Sequence, residues 1–143
     1  MSTRRRILNF LTVRMELIFI LLFLTLDNVK RDEKLITNVM GDDFKILLKG
    51  DNSLKSIIVW GDGYGGNLTI TGDGKLTLNS EKTENTAITI QAEYTEGKVK
   101  IEKNVQMEMY AKEGYPIIEI VGANNSDKDK AVVIDGKLTQ NYE

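Results

Sequence analysis

Leu68-Thr-Ile-Thr-Gly-Asp-Gly-Lys-Leu-Thr-Leu78 decides the fold, because the chain restates it twice further on. Slid along until Leu68 meets Val99, a shift of 31, it lies on Val99-Lys-Ile-Glu-Lys-Asn-Val-Gln-Met-Glu-Met109. Ile70 then meets Ile101, Leu76 meets Met107 and Leu78 meets Met109, so apolar positions fall on apolar positions. The residues between them, Thr69, Thr71, Lys75 and Thr77, fall on Lys100, Glu102, Gln106 and Glu108. Gly74 against Val105 is the one clear change of class. At twice that shift, Asp73-Gly-Lys-Leu-Thr77 recurs unchanged as Asp135-Gly-Lys-Leu-Thr139. Ala87-Ile-Thr-Ile90 lies on Ile117-Ile-Glu-Ile120 at a shift of 30.

Alternation of apolar and polar residues is the period of a strand, and repeats of this length are the sign of stacked supersecondary units. Each unit buries its inward face on its neighbours. Gly-Asp pairs at 41–42, 50–51, 61–62 and 72–73 supply the turns, since Gly accepts positive φ and Asp bonds its own backbone. The last three pairs are eleven residues apart, which puts Asp51, Asp62 and Asp73 on successive corners of a three-sided coil. The expected fold is all-β: a short right-handed parallel β-helix, a three-sided solenoid of about 31 residues per coil, preceded by an apolar N-terminal segment. An antiparallel meander also explains turns every eleven residues, but it gives no reason for side chains to recur at one longer shift and again at its double.

Two divisions of the chain follow: an N-terminal segment over residues 1–23 and a solenoid domain over 24–143. Arg4, Arg5, Arg6 and Arg14 against Glu16 make the first sixteen residues +3, which leaves −5 for the remainder of a chain of net charge −2. The apolar run over 17–26 has Thr25 as its one polar residue. A basic flank before an apolar run has the pattern of a targeting segment, although no small-x-small cleavage site follows. Ten residues fall short of the ~20 of a spanning helix, and extension over 7–26 would enclose Arg14 and Glu16. Targeting, anchoring and capping-helix readings stay open for 1–23, beside one in which Leu24-Thr-Leu-Asp-Asn28 begins the fold, matching Leu76-Thr-Leu-Asn-Ser80.

The composition limits the chemistry. The chain has no Cys and no His, which removes disulfides, the usual zinc sites and the commonest general base near neutral pH. No Arg follows Arg31, and there is no overall basic field for nucleic acid. Gly61-Asp-Gly-Tyr-Gly-Gly66 has the G-x-G-x-x-G spacing, but a strand-like stretch over 67–71 follows where a dinucleotide site needs a helix. Asn125, Asp127 and Asp129 alternate as calcium-loop ligands do, yet Lys130 and Gly136 stand at the two diagnostic positions. Asp73, Asn104 and Asp135 share a corner in the longer register, where Asp and Asn serve turns. No catalytic residue, metal ligand or cofactor is assigned. Trp60, Asp62 and Tyr64 remain as candidate ligand-binding residues: aromatic faces beside Asp, Asn and Gly form a sugar platform, and Tyr94, Tyr110 and Tyr115 offer the same at corners.

Phe44-Lys-Ile-Leu-Leu-Lys-Gly-Asp-Asn-Ser-Leu54, followed by the stretch 65–78, resembles the right-handed parallel β-helix repeats of surface proteins of gut Firmicutes, some of the carbohydrate-binding-domain type. Leu24-Thr-Leu-Asp-Asn28 resembles the strand that precedes the Gly-Asp-Asn element in those repeats, and the likeness covers about residues 24–139. The resemblance implies a secreted or cell-surface location, a non-catalytic role and a glycan or cell-surface polymer as partner, with any membrane contact made by the N-terminal apolar segment. Such proteins are usually longer and carry a clean signal peptide, so a fragment of a longer relative is a further expectation. A fragment of a β-helix polysaccharide lyase or hydrolase and a purely structural repeat are the alternatives. Self-association through an uncapped solenoid end is the other partner expectation.

Overall fold

A computed structural model describes residues 5–8, 23–38, 43–60, 67–93, 97–122 and 132–142. Within them every regular element is a strand, and the strands form three parallel sheets. Sheet A holds β1 (Arg5–Leu8), β2 (Phe23–Asp27), β4 (Asp43–Lys49), β7 (Asn67–Gly72), β10 (Lys98–Ile101) and β13 (Val132–Ile134), in that spatial order. Sheet B holds β5 (Asp51–Leu54), β8 (Lys75–Leu78), β11 (Gln106–Ala111) and β14 (Lys137–Tyr142). Sheet C holds β3 (Lys34–Asn38), β6 (Ser56–Trp60), β9 (Ile88–Glu93) and β12 (Ile118–Gly122). From β4 onward the chain visits A, B and C in turn, and each visit pairs in parallel with the previous one. Parallel ladders with a strand every few residues are what a stacked repeat requires.

The repeats found by shifting the sequence are side-chain columns. Leu76, Met107 and Leu138 are consecutive partners in sheet B, and Asn52 heads their column. Leu24, Ile46, Ile70, Ile101 and Ile134 run through sheet A, and Ile57, Ile88 and Ile118 through sheet C. Phe44, Leu68 and Val99 stack beside the sheet A column. The apolar inward residues belong to one continuous core, buried from Leu24 to Ile117, with Ile118, Ile134 and Leu138 packed against it and partly buried.

The coil is not uniform in length. In β7–β10, β8–β11, β11–β14 and β6–β9 a residue pairs with the one a long coil later, as Leu68 does with Val99 and Ile57 with Ile88. The β9–β12 pairs, such as Ile88 with Ile118, are one residue closer. Earlier in the chain the coil is shorter by a quarter or so: Leu24 pairs with Ile46, Leu35 with Ile57, Ile46 with Ile70 and Asn52 with Leu76. The corner from B to C accounts for much of the difference: Lys55 alone joins β5 to β6, whereas residues 79–87 join β8 to β9. The short coils correct one sequence expectation. Gly50-Asp51 and Gly72-Asp73 do not lie on separate corners; both lie between sheets A and B, because the chain has come round by nearly one short coil between them. The Gly41-Asp42 and Gly61-Asp62 pairs lie outside the described residues.

Gly72 and Gly74 show why this corner needs glycine. Gly72 has φ of +103°, and a Cβ there would overlap the Leu48 carbonyl oxygen of the coil before. A Cβ on Gly74 would sit 2.8 Å from the Gly50 oxygen, which accepts from Lys75 N–H at 2.8 Å. Val105, the odd partner of Gly74, belongs to the core and is fully buried. The segment 24–28 contributes a strand to the fold, but it stacks on β4 in sheet A, not in the sheet of Leu76 and Leu78. It therefore matches the strand that precedes Gly50-Asp-Asn52. Residues 9–22, with most of the apolar run, lie outside the described residues, and Arg5–Leu8 pairs in parallel with β2.

Candidate functional site

Strand alternation places Ile57 and Val59 in the core, and so turns Ile58 and Trp60 outward on sheet C. Trp60 is 43% exposed, one of the largest exposed apolar side chains among the described residues. Its partner in β3 is Asn38 and its partner in β9 is Gln91, with Val121 of β12 next in the row. Adjacent strands are ~4.8 Å apart, so an amide side chain stands on either side of the indole. One pleat back, the row is Ile36, Ile58, Thr89 and Glu119, partly exposed except for the exposed Glu119. An exposed indole in a row with two amides offers apolar surface beside donors and acceptors, the chemistry that a sugar ring needs.

Asp62 and Tyr64 follow Trp60 closely in the chain and lie outside the described residues, as do Tyr94 and the stretch 125–129. Tyr110 lies within β11 on the outer face of sheet B, not at a corner. Tyr115 is on the corner between β11 and β12 and is exposed. Asn38 and Gln91 escaped the sequence reading. They belong to the coils before and after Trp60, one short and one long, and unequal coils hide such a row from any single shift.

Two other polar features stand apart from this row. On sheet B, Tyr110 OH donates to Glu108 Oε1 at 2.9 Å, and Lys75 Nζ lies 3.4 Å from Glu108 Oε2. Tyr110 foremost, then Lys75 and Thr77, hold the Glu108 carboxyl below its ordinary value against the opposing effect of burial. The same hydrogen bond pushes the Tyr110 phenol up. Lys82 stands 5.9 Å above the Tyr110 ring. This is an ion-paired surface cluster, and among the described residues no second carboxylate is placed in it to complete an acid–base pair.

The second feature is a cavity of about 220 Å³ on the corner between sheets B and C, beside the 79–87 loop. Asn79 builds that loop. It has φ of +60°, its Nδ2 donates to the carbonyls of Glu84 (2.7 Å) and Tyr110 (3.0 Å), and its Oδ1 accepts from Glu84 N–H (3.0 Å). Among the described residues no cluster of acidic side chains is arranged to hold a metal, and no helix is long and apolar enough to cross a membrane. Comparisons with protein-family models, curated proteins and solved structures gave no significant match.

Proposed function

We propose that this protein is a non-catalytic module, a right-handed three-sided parallel β-helix secreted or displayed at a cell surface, that binds carbohydrate on the outer face of sheet C. The observation that carries the reading is the exposed Trp60 indole standing in one row between the Asn38 and Gln91 amides. Parallel crossovers are right-handed in nearly all known cases, which supplies the hand. Three parallel sheets visited in rotation support three sides. The rigid ladder under Trp60 favours binding, because its neighbours are fixed before a ligand arrives.

A glycan array followed by calorimetry on the full chain tests this. Trp60→Ala is expected to abolish binding to the glycans that score, and Gln91→Ala to weaken it about tenfold, with the melting temperature unchanged. Retention of wild-type affinity in Trp60→Ala would overturn the proposal.

A further inference from the structure

The cavity between sheets B and C exists because the coil changes length there. Arg31-Asp32 and Lys55 turn their corners in few residues, whereas the next coil swings out through residues 79–87. The short corners are thus left recessed behind a longer loop. Three cations, Lys30, Arg31 and Lys55, line the recess, and Arg31 is the last arginine of the chain. The carboxylates in the lining are Asp32 and Glu81, and Asp51 and Glu33 pair with Lys30 and Arg31 from outside it, so with these counted the recess has no net positive charge.

Two of the cations have partners outside the lining: Lys30 lies 3.5 Å from Asp51, with both side chains exposed, and Arg31 Nε donates to Glu33 Oε1 at 2.9 Å. Lys55 does not. Its side chain is 26% exposed, and its ion pair is with Asp32, at 3.8 Å and itself 77% exposed. A partly buried ammonium held by one long, solvated contact has hydrogen-bond donors to spare. The hydroxyls of Ser53, Ser80 and Thr83 line the same recess, and Leu54 supplies an apolar patch.

We infer that this recess binds the carboxylate end of a sugar acid, with the ammonium of Lys55 on the carboxylate and the Ser and Thr hydroxyls on the ring hydroxyls. The volume is below the ~300 Å³ at which drug-sized sites begin, so it takes one sugar unit and not a long chain. Lys55 immediately precedes β6 and Trp60 ends it, about 16 Å apart at a strand's rise per residue. The site thereby names an acidic glycan as the ligand class, and in that respect it rests on the carbohydrate reading of Trp60.

Calorimetric titration of the full chain with glucuronic acid, glucose and sodium sulfate tests it. Glucuronate is expected to bind at least about tenfold more tightly than either other probe, and to weaken as salt is raised to about 0.5 M. Lys55→Met should remove that advantage. So should Ser80→Asp, an exposed loop substitution that brings a carboxylate to the recess without disturbing the packing of Lys55. Equal binding of glucuronate and glucose, or wild-type affinity in both variants, would overturn the inference. Sulfate binding as tight as glucuronate would overturn the sugar assignment and leave a site that reads charge alone. Trp60→Ala separates the two readings. Neutral-glycan binding lost in Trp60→Ala, with no glucuronate binding, removes this site and keeps the module. Glucuronate binding that needs Lys55, with no glycan needing Trp60, does the reverse.

Discussion

Asn52 shows how a single residue is fixed by its place in a column. It is fully buried at the head of Leu76, Met107 and Leu138, where an apolar residue would be expected. Its Oδ1 accepts from Val29 N–H at 2.8 Å, and its Nδ2 donates to the carbonyls of Lys49 at 3.0 Å and Lys75 at 3.2 Å. It therefore bonds backbone groups of three successive coils where the chain turns from sheet A to sheet B. Asn52→Leu would suit the column by volume but take the side-chain partner from Val29 N–H and from the Lys75 carbonyl, while the Lys49 carbonyl keeps Asn28 N–H at 3.2 Å, so we expect a loss of ~2 kcal/mol by chemical denaturation. The corner glycines differ in the same way. Gly72→Ala meets the Leu48 carbonyl as well as a positive φ and should cost ~3 kcal/mol, whereas Gly114, at φ of +88° with nothing within 4 Å, should cost ~1 kcal/mol as Ala. Glu108 and Tyr110 tie stability to pH. The Glu108 carboxyl is lowered from 4.5, so its contribution is complete above that value and is lost as pH falls through the lowered one. The Tyr110 phenol is raised from 10.0, so its contribution is complete below that value and is lost as pH rises through the raised one. Tyr110→Phe should flatten both limbs of a plot of melting temperature against pH, by little, because the pair is solvent-screened.

At the scale of elements, the 79–87 loop turns a short coil into a long one. It is anchored at one end by the positive φ and triple hydrogen bonding of Asn79, and it is tied to β3 by Lys34 Nζ and Glu84 Oε1 at 3.0 Å. The surface ion pair contributes little beside the buried amide. Asn79→Ala should speed hydrogen exchange at the Glu84 amide and lower stability by ~2 kcal/mol, while Lys34→Ala leaves both near wild type. The strands were legible in the sequence because their inward and outward residues differ in class at period two. The outer row of Asn38, Trp60 and Gln91 was not, because solvent-facing positions of different coils carry no shared pattern; only register brings them together. Of the candidate residues named from sequence, Trp60 is found exposed on that row, and Asp62 and Tyr64 lie beyond the described residues.

For the molecule as a whole, a stack of coils behaves as a line of nearest-neighbour interfaces. Burial is uneven along that line. Ile46 and Ile70 are completely buried, whereas Ile118, Ile120, Ile134 and Leu138 are only partly so. Ile70→Ala should accordingly cost ~4 kcal/mol and Ile134→Ala ~1–2 kcal/mol, and hydrogen exchange should be slowest in β4, β7 and β10 and faster in β13 and β14. Equal losses at the two isoleucines would argue against this gradient. Both isoleucines belong to one column, and the existence of such columns could be read from the chain alone. A stacked repeat places like residues over like, so matching at one shift and again at its double implied parallel coils and the stacking of Leu76, Met107 and Leu138. The length of the earlier coils could not be read in the same way. Twice eleven residues can be two sides of a large coil or nearly one whole small coil, and the turn spacing is the same in both. Folding resolves this by burial: in the short coils Leu24, Ile46 and Ile70 stack inward, and the longer coil that begins with residues 79–87 opens the recess around Lys55. That recess and the Trp60 row are products of three-dimensional register, which depends on contacts between residues distant in the chain.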